Sequence, residues 1–94
     1  MKISEVTREI IKDHCGISGD DSDGLLDVYG EAAKTQICGY TGLSLEELDD
    51  FPDLVYAYLA IVGEMFSARE ITVESDKINP MAKQIMDLHR VNLL

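Results

Sequence analysis

Residues 54–70 read LVYAYLAIVGEMFSARE, and this stretch decides the fold. Its apolar side chains are spaced around nearly every side of a helix instead of along one stripe. Such a helix either lies at the centre of a domain or has its second face covered by a partner. Because a chain of 94 residues has few elements to surround it, the stretch predicts a central third helix, over about 52–70, that also contributes to self-association.

Two helical patterns precede this stretch. A first helix is predicted near 5–14, with Ser4 as its cap and Gly16 as its stop signal. The segment 17–23 is rich in serine, glycine and aspartate, which is typical of a loop. A second helix is predicted over 22–40, because apolar residues recur there every three or four positions.

The second helix carries its own local signals. Asp21 or Ser22 can cap it. Its apolar positions are Leu25, Leu26, Val28, Tyr29, Ala32, Ala33, Ile37 and Tyr40. Three glycines interrupt it, at Gly24, Gly30 and Gly39. Each glycine either weakens the helix by about 1 kcal/mol relative to alanine or permits close packing of a neighbouring helix.

Helix-end signals also precede the third helix. Ser44 and Glu47 have the spacing of a capping box, which predicts a short helical turn near 45–49. Asp50 followed by Pro52 predicts the cap and the first turn of the third helix.

The end of the chain supplies a fourth helix. It is predicted near 80–90, with Asn79 as its cap and Pro80 at its first position, and its apolar residues are Met81, Ile85, Met86 and Leu88. A β-prone loop over 71–78 precedes it. We therefore expect one all-α domain over 1–94, a small four-helix domain with a short extra helical turn and a loop before the last helix.

The charge is strongly acidic and unevenly distributed. The chain has 18 acidic and 8 basic residues, for a formal charge of −10. Residues 18–53 hold ten of the acids and one of the bases, which gives that segment a net charge of −9. Binding to nucleic acid through phosphate contacts needs clusters of lysine and arginine, so that class of function is excluded.

Cysteine usage and hydropathy exclude further classes. Cys15 and Cys38 are expected to be reduced, buried thiols, because a disulfide framework needs denser cysteine. The polar residues directly after Met1 predict no signal peptide. The longest apolar run, 54–66, is too short to span a bilayer, so we expect no membrane association.

The best candidates for a metal or catalytic site also fail. EF-hand calcium loops need oxygen ligands at fixed positions and a glutamate at the end, and no register of the acidic loop 19–31 supplies them all. His14 and Cys15 are adjacent on a predicted helix, so their side chains point about 100° apart and do not form a nucleophile–base pair. We expect no catalytic residue, no metal and no cofactor.

The order of these parts resembles the head–tail connector (adaptor) proteins of long-tailed bacteriophages. The strongest pieces are GYTG at 39–42, P-x-L-x-x-A from Pro52, E-x-F-x-x-R-E from Glu64 and RVNLL at 90–94. The likeness covers essentially the whole chain, and its motifs are helix-end and packing features. It implies a structural virion protein that is not an enzyme.

The same resemblance implies a ring homo-oligomer on the portal protein at the head vertex, which extends the DNA channel and receives the tail or a stopper protein. DNA passes through such a channel without specific binding. The location implied is the head–tail interface of the virion, with host cytoplasm during assembly. In such families the C-terminal region often contacts the portal, which here falls on His89, Arg90, Val91, Asn92, Leu93 and Leu94.

The residues themselves predict a subunit interface on the third helix and the segment after it. We expect that interface at Tyr56, Leu59, Met65, Phe66, Ile71, Val73 and Ile78. An alternative function from another class is a small acidic regulatory or inhibitory protein that binds one cellular partner. A DNA mimic with residues 18–53 as its acidic face is one such protein.

Overall fold

The computed structural model describes residues 1–19, 21, 23–68 and 80–91. Within them the chain forms two short 3₁₀ helices, Ile3–Glu5 and Glu47–Asp50, and four α-helices. The α-helices are α1 (Arg8–Cys15), α2 (Asp23–Thr41), α3 (Leu54–Ala68) and α4 (Pro80–Leu88). The predicted all-α fold is confirmed. The predicted caps Ser22 and Asn79, the end of the third helix beyond residue 68 and the loop 71–78 lie outside the described residues.

The core is built around α3, against which α1, α2 and α4 all pack. The buried side chains of α3 are Leu54, Val55, Ala57, Tyr58, Ile61 and Val62. They form one apolar cluster with residues that include Leu26 and Ile37 of α2 and Met86 of α4. Burying a large apolar side chain contributes about 1.5–3 kcal/mol, so this cluster is the main source of stability. The predicted central position of the third helix is confirmed.

The Tyr58 side chain of α3 reaches α2 at Gly30. A Cβ atom built at Gly30 would lie 2.7 Å from the hydroxyl oxygen of Tyr58, closer than real Cβ atoms come to other atoms. Tyr58 is itself buried, and this burial raises the pKa of its hydroxyl. Gly30 therefore leaves room for the end of the Tyr58 side chain, whereas Cβ atoms at Gly24 and Gly39 would meet open space.

The first helix starts later than predicted, and Ser4 does not cap it. Residues Ile3–Glu5 form a separate 3₁₀ turn, and Thr7 caps α1 by accepting a hydrogen bond from the Ile10 amide. The Ser4 amide instead donates to Asp49 Oδ1 at 3.0 Å. That contact ties the first 3₁₀ turn to the second one and separates it from α1. The predicted stop is confirmed, because Gly16 ends α1 in the left-handed conformation, with φ 70°.

The start of α3 also differs from the prediction. Asp50 ends the second 3₁₀ helix and is not the cap of α3. The amides of Leu54 and Val55 donate to the carbonyls of Phe51 and Pro52, three residues earlier. Hydrogen bonds of this spacing form tight turns that often lead into an α-helix. α3 therefore begins at Leu54, two residues after Pro52.

The apolar patterns of α2 and α4 divide between core and surface. α2 buries Leu26, Gly30, Ala33, Ile37 and Thr41, and it exposes Leu25, Val28 and Ala32. α4 buries Ala82 and Met86, and it exposes Met81 and Leu88. The predicted apolar sets are therefore wider than the faces that pack, because adjacent residues on a helix point about 100° apart.

The predicted capping box before α3 is confirmed. The Glu47 amide donates to Ser44 Oγ at 3.2 Å, and the Ser44 amide donates to Glu47 Oε1 at 3.0 Å. The hydrogen bond from the Ser44 amide is the main cause that lowers the pKa of the Glu47 carboxyl. This reciprocal pair fixes the turn that leads from α2 to α3.

Glu47→Gln is expected to reduce stability at neutral pH, by an amount that shrinks as the pH falls below about 4.3. Folding lowers the pKa of Glu47, so its carboxylate contributes stability above its unfolded pKa of about 4.3. That contribution is lost as the pH falls through the folded pKa. Thermal melts of both chains over this pH range measure the difference. Glu46→Gln, an exposed neighbour outside the capping box, is the control, and a Tm difference that does not change with pH would contradict the prediction.

Candidate interaction surfaces

The predicted interface residues on α3 are unevenly exposed. Tyr56 is 68% exposed. Leu59, Met65 and Phe66 are partly buried and pack against the core. The other three predicted residues, Ile71, Val73 and Ile78, lie outside the described residues. The outward face of α3 is narrow because three helices cover its other sides, so Tyr56 is its most prominent apolar feature among the described residues.

An open groove of about 410 Å³ runs beside this outward face, between α1 and α4. Its lining consists of His14, Cys15, Ala60, Gly63, Glu64, Ser67 and Met81.

Cys15 and Cys38 are free thiols and are half-buried, and burial raises the pKa of both. A thiol with a raised pKa stays protonated at neutral pH and is a poor nucleophile. Within the described ranges, no group of three side chains is placed to hold a metal ion.

Two basic side chains of α1 contact the acidic start of α2. Arg8 Nη2 lies 2.6 Å from Asp27 Oδ2, and Arg8 Nη1 lies 3.3 Å from Asp23 Oδ2. The hydrogen bond from Arg8 lowers the pKa of Asp27. Lys12 is buried, and its Nζ lies 2.7 Å from Asp23 Oδ1. That buried oxygen has no other hydrogen-bond partner in the part of the chain that the structure describes.

The C-terminal segment folds back onto the domain as far as Val91. His89 Nε2 lies 2.8 and 2.7 Å from the two carboxylate oxygens of Asp53. Because a carboxylate can only accept, the imidazole N–H is the donor. The His89 ring centre lies 4.3 Å from that of Phe51. The Val91 amide then donates to the Thr41 carbonyl at 2.6 Å.

The last turn of α2 holds the same segment from a second side. The Tyr40 hydroxyl donates to Asp87 Oδ1 at 2.5 Å, and Lys83 Nζ lies 3.1 Å from Asp87 Oδ2. These two contacts, with Tyr40 first, lower the pKa of Asp87. The Arg90 guanidinium lies 5.0 Å from the centre of the Tyr40 ring. Three of the predicted portal-contact residues, His89, Arg90 and Val91, therefore have partners in their own chain, while Asn92, Leu93 and Leu94 lie outside the described residues.

Two uncharged stripes face solvent on α2 and α4. The α2 stripe consists of Leu25, Val28 and Ala32, and the α4 stripe consists of Met81, Gln84 and Leu88. Spacings of three and four residues place the members of each stripe on one side of their helix. None of these residues is among the predicted interface residues. The sequence does contain a signal that could have indicated these stripes, because neither contains a charged residue although the chain has a net charge of −10.

A comparison with known protein families shows which family the chain belongs to. Residues 7–90 match the family model described as "Phage gp6-like head-tail connector protein". The chain belongs to this family. The resemblance to head–tail connectors is thus confirmed, and the match takes in all four α-helices of the connector and the segment after α4 as far as Arg90. The family consists of structural phage proteins and is not a known family of enzymes.

The other comparisons add no relative. A search of curated proteins found no match, and a search of solved structures found none either. Among the helices described for this connector, none is long and apolar enough to cross a membrane.

Proposed function

We propose that the chain is a structural virion protein that forms a ring on the portal vertex, extends the DNA channel and joins the head to the tail. The observation that carries this proposal is the family match over residues 7–90. The protein's place is then the head–tail interface of the virion, and host cytoplasm during assembly. Its partners are copies of itself, the portal protein and a tail or stopper protein.

The charge distribution supports a role at the wall of a DNA channel. Exposed carboxylates in the acidic segment include Asp27, Glu31, Glu46, Glu47 and Asp50. Like charges repel, so a wall with this charge does not retain DNA that moves past it. The same charge also opposes contact between copies of the chain. Subunit contacts therefore favour uncharged surface, of which Tyr56 on α3 is one exposed part.

The C-terminal segment, residues 89–94, is the proposed portal contact. Contacts of His89 and Val91 with the domain fix the position of the chain directly before residues 92–94. Leu93 and Leu94 in this segment are two large apolar side chains. Burying each against a partner would contribute about 1.5–3 kcal/mol.

Mixing the purified chain with its portal ring tests the proposed function. Electron microscopy and native mass spectrometry are expected to show a closed ring of this chain seated on the portal. Attachment of isolated copies, or no attachment, would contradict the proposal. Saturable binding to a DNA-processing enzyme, without assembly on the portal, would favour the acidic inhibitor instead.

Deleting residues 92–94 is expected to leave the melting temperature nearly unchanged and to abolish portal attachment. The truncated chain keeps the Val91–Thr41 hydrogen bond and the His89–Asp53 contact. Thermal melts measure the first effect, and co-sedimentation with portal rings measures the second. A variant with Leu93→Ser and Leu94→Ser keeps the chain length and is expected to behave in the same way. A clear drop in melting temperature would show that the tail belongs to the core, and unchanged attachment would place the portal contact elsewhere.

A further inference from the structure

Four of the eight large exposed apolar side chains among the described residues lie on the α2 stripe and the α4 stripe, namely Leu25, Val28, Met81 and Leu88. Val28 is 61% exposed and Leu88 is 76% exposed. Both stripes have the same spacing, in which the second and third members follow the first by three and seven residues. Seven residues of α-helix rise about 10 Å, so the two stripes also match in length.

The two stripes cannot meet within one chain. α2 packs on α3 through its opposite side, where Gly30 approaches Tyr58. α4 also packs on α3, and its buried residues are Ala82 and Met86. Met81, at one end of the α4 stripe, also lines the groove beside α3. The other members of both stripes are exposed on the sides of their helices away from the buried residues, so only another molecule can bring the two stripes into contact.

The charges of the two helices favour a second copy as that molecule. The α2 stripe lies in the segment 18–53, which has a net charge of −9, and Asp27 and Glu31 are exposed beside it. Residues 80–91 contain Lys83 and Arg90 against the single acid Asp87, which gives them a net charge of +1. Contact between two α2 stripes would bring two acidic segments together. Contact between α2 and α4 joins opposite charges and avoids that repulsion.

We infer that the α2 stripe of one copy packs against the α4 stripe of the next copy. This inference rests on the proposed ring and names its subunit contact. Two different surfaces meet, so an open assembly keeps one free α2 stripe at one end and one free α4 stripe at the other until it closes. Contacts of this head-to-tail type generate rings when the rotation per subunit closes.

Disulfide cross-linking tests the contact directly. The variant carries Val28→Cys and Gln84→Cys, the central positions of the two stripes, with the native thiols removed as Cys15→Ala and Cys38→Ala. Central positions face each other whichever way the two helices run. Mild oxidation, alone or on portal rings, is expected to give a ladder of covalent oligomers, read by non-reducing electrophoresis.

The matched control carries Leu45→Cys in place of Val28→Cys, and it keeps Gln84→Cys. Leu45 is 58% exposed, a fraction similar to the 61% of Val28, and it lies outside both stripes. Because proximity raises the effective concentration of two thiols, the stripe pair is expected to give a ladder roughly tenfold or more stronger than the control pair. The Val28→Cys chain with no second added thiol is expected to give little covalent dimer, since two α2 stripes do not face each other.

The possible failures separate the contact from the ring. Equal ladders from the two cysteine pairs would overturn the inference, as would abundant dimer from Val28→Cys alone. If neither pair gives a ladder while an amine-reactive cross-linker still captures rings on the portal, this contact is wrong and the ring stands. If no reagent captures a ring, the proposed function fails together with the inference.

Discussion

Leu48→Ala is expected to lower the free energy of unfolding by about 2–5 kcal/mol. Leu48 is 0% exposed, although it belongs to the short 3₁₀ helix between α2 and α3. Truncation to alanine removes apolar contacts and leaves a cavity. Domains of this size have a total stability of about 5–15 kcal/mol, and a loss of about 3 kcal/mol would lower the melting temperature by roughly 12–24 °C.

Leu45→Ala is the matched control, because it makes the same chemical change three residues earlier at an exposed side chain. Its effect on the free energy of unfolding is expected to stay within about 0.5 kcal/mol. Urea titrations of the two variants measure both values. Similar losses from the two substitutions would contradict the placement of Leu48 in the core.

Asp23→Ala is expected to lower the free energy of unfolding by up to about 3–5 kcal/mol. The substitution removes the carboxylate that lies 2.7 Å from the buried ammonium of Lys12. Lys12 has a further contact, but the loss of this carboxylate leaves its buried charge less compensated, which is costly. Arg8 also loses its 3.3 Å contact with Asp23, so α1 and α2 are joined less firmly. Urea titration at neutral pH measures the loss.

A second substitution distinguishes the buried charge from simple loss of contact. Adding Lys12→Met to Asp23→Ala is expected to recover most of the lost stability, because methionine fills similar space without a charge. Asp27→Ala, which breaks an ion pair with Arg8 at an exposed position, is the control and is expected to have a smaller effect. If the double variant is as unstable as Asp23→Ala alone, the charge on Lys12 is not the cause.

The elements that could be predicted from sequence are those fixed by local physics. The third helix has apolar residues on most of its sides, and only a central position can bury them. The Ser44–Glu47 capping box and the Gly16 stop depend on groups within three or four residues of one another. The structure confirms all three.

The features that could not be predicted depend on distant contacts. Ser4 and Thr7 are both suitable caps, and a hydrogen bond from Ser4 to Asp49, far along the chain, leaves Thr7 as the cap. His89 has an acidic partner, Asp53, that no local pattern indicates. The spacing of apolar residues indicates a helix, but it does not show which neighbouring elements cover each side chain. For that reason Leu26 is in the core while the adjacent Leu25 is exposed.

The contacts that hold the C-terminal segment also decide how the domain bears mechanical load. A pull applied to the chain beyond Val91 acts first on the last turn of α2, through Thr41, and on the entrance to α3, through Asp53. α4 cannot be unwound from its end until the contacts of His89, Arg90 and Val91 have broken. Tension applied beyond Val91 is therefore transferred to the end of α2 and to the entrance of α3 before it can unwind α4.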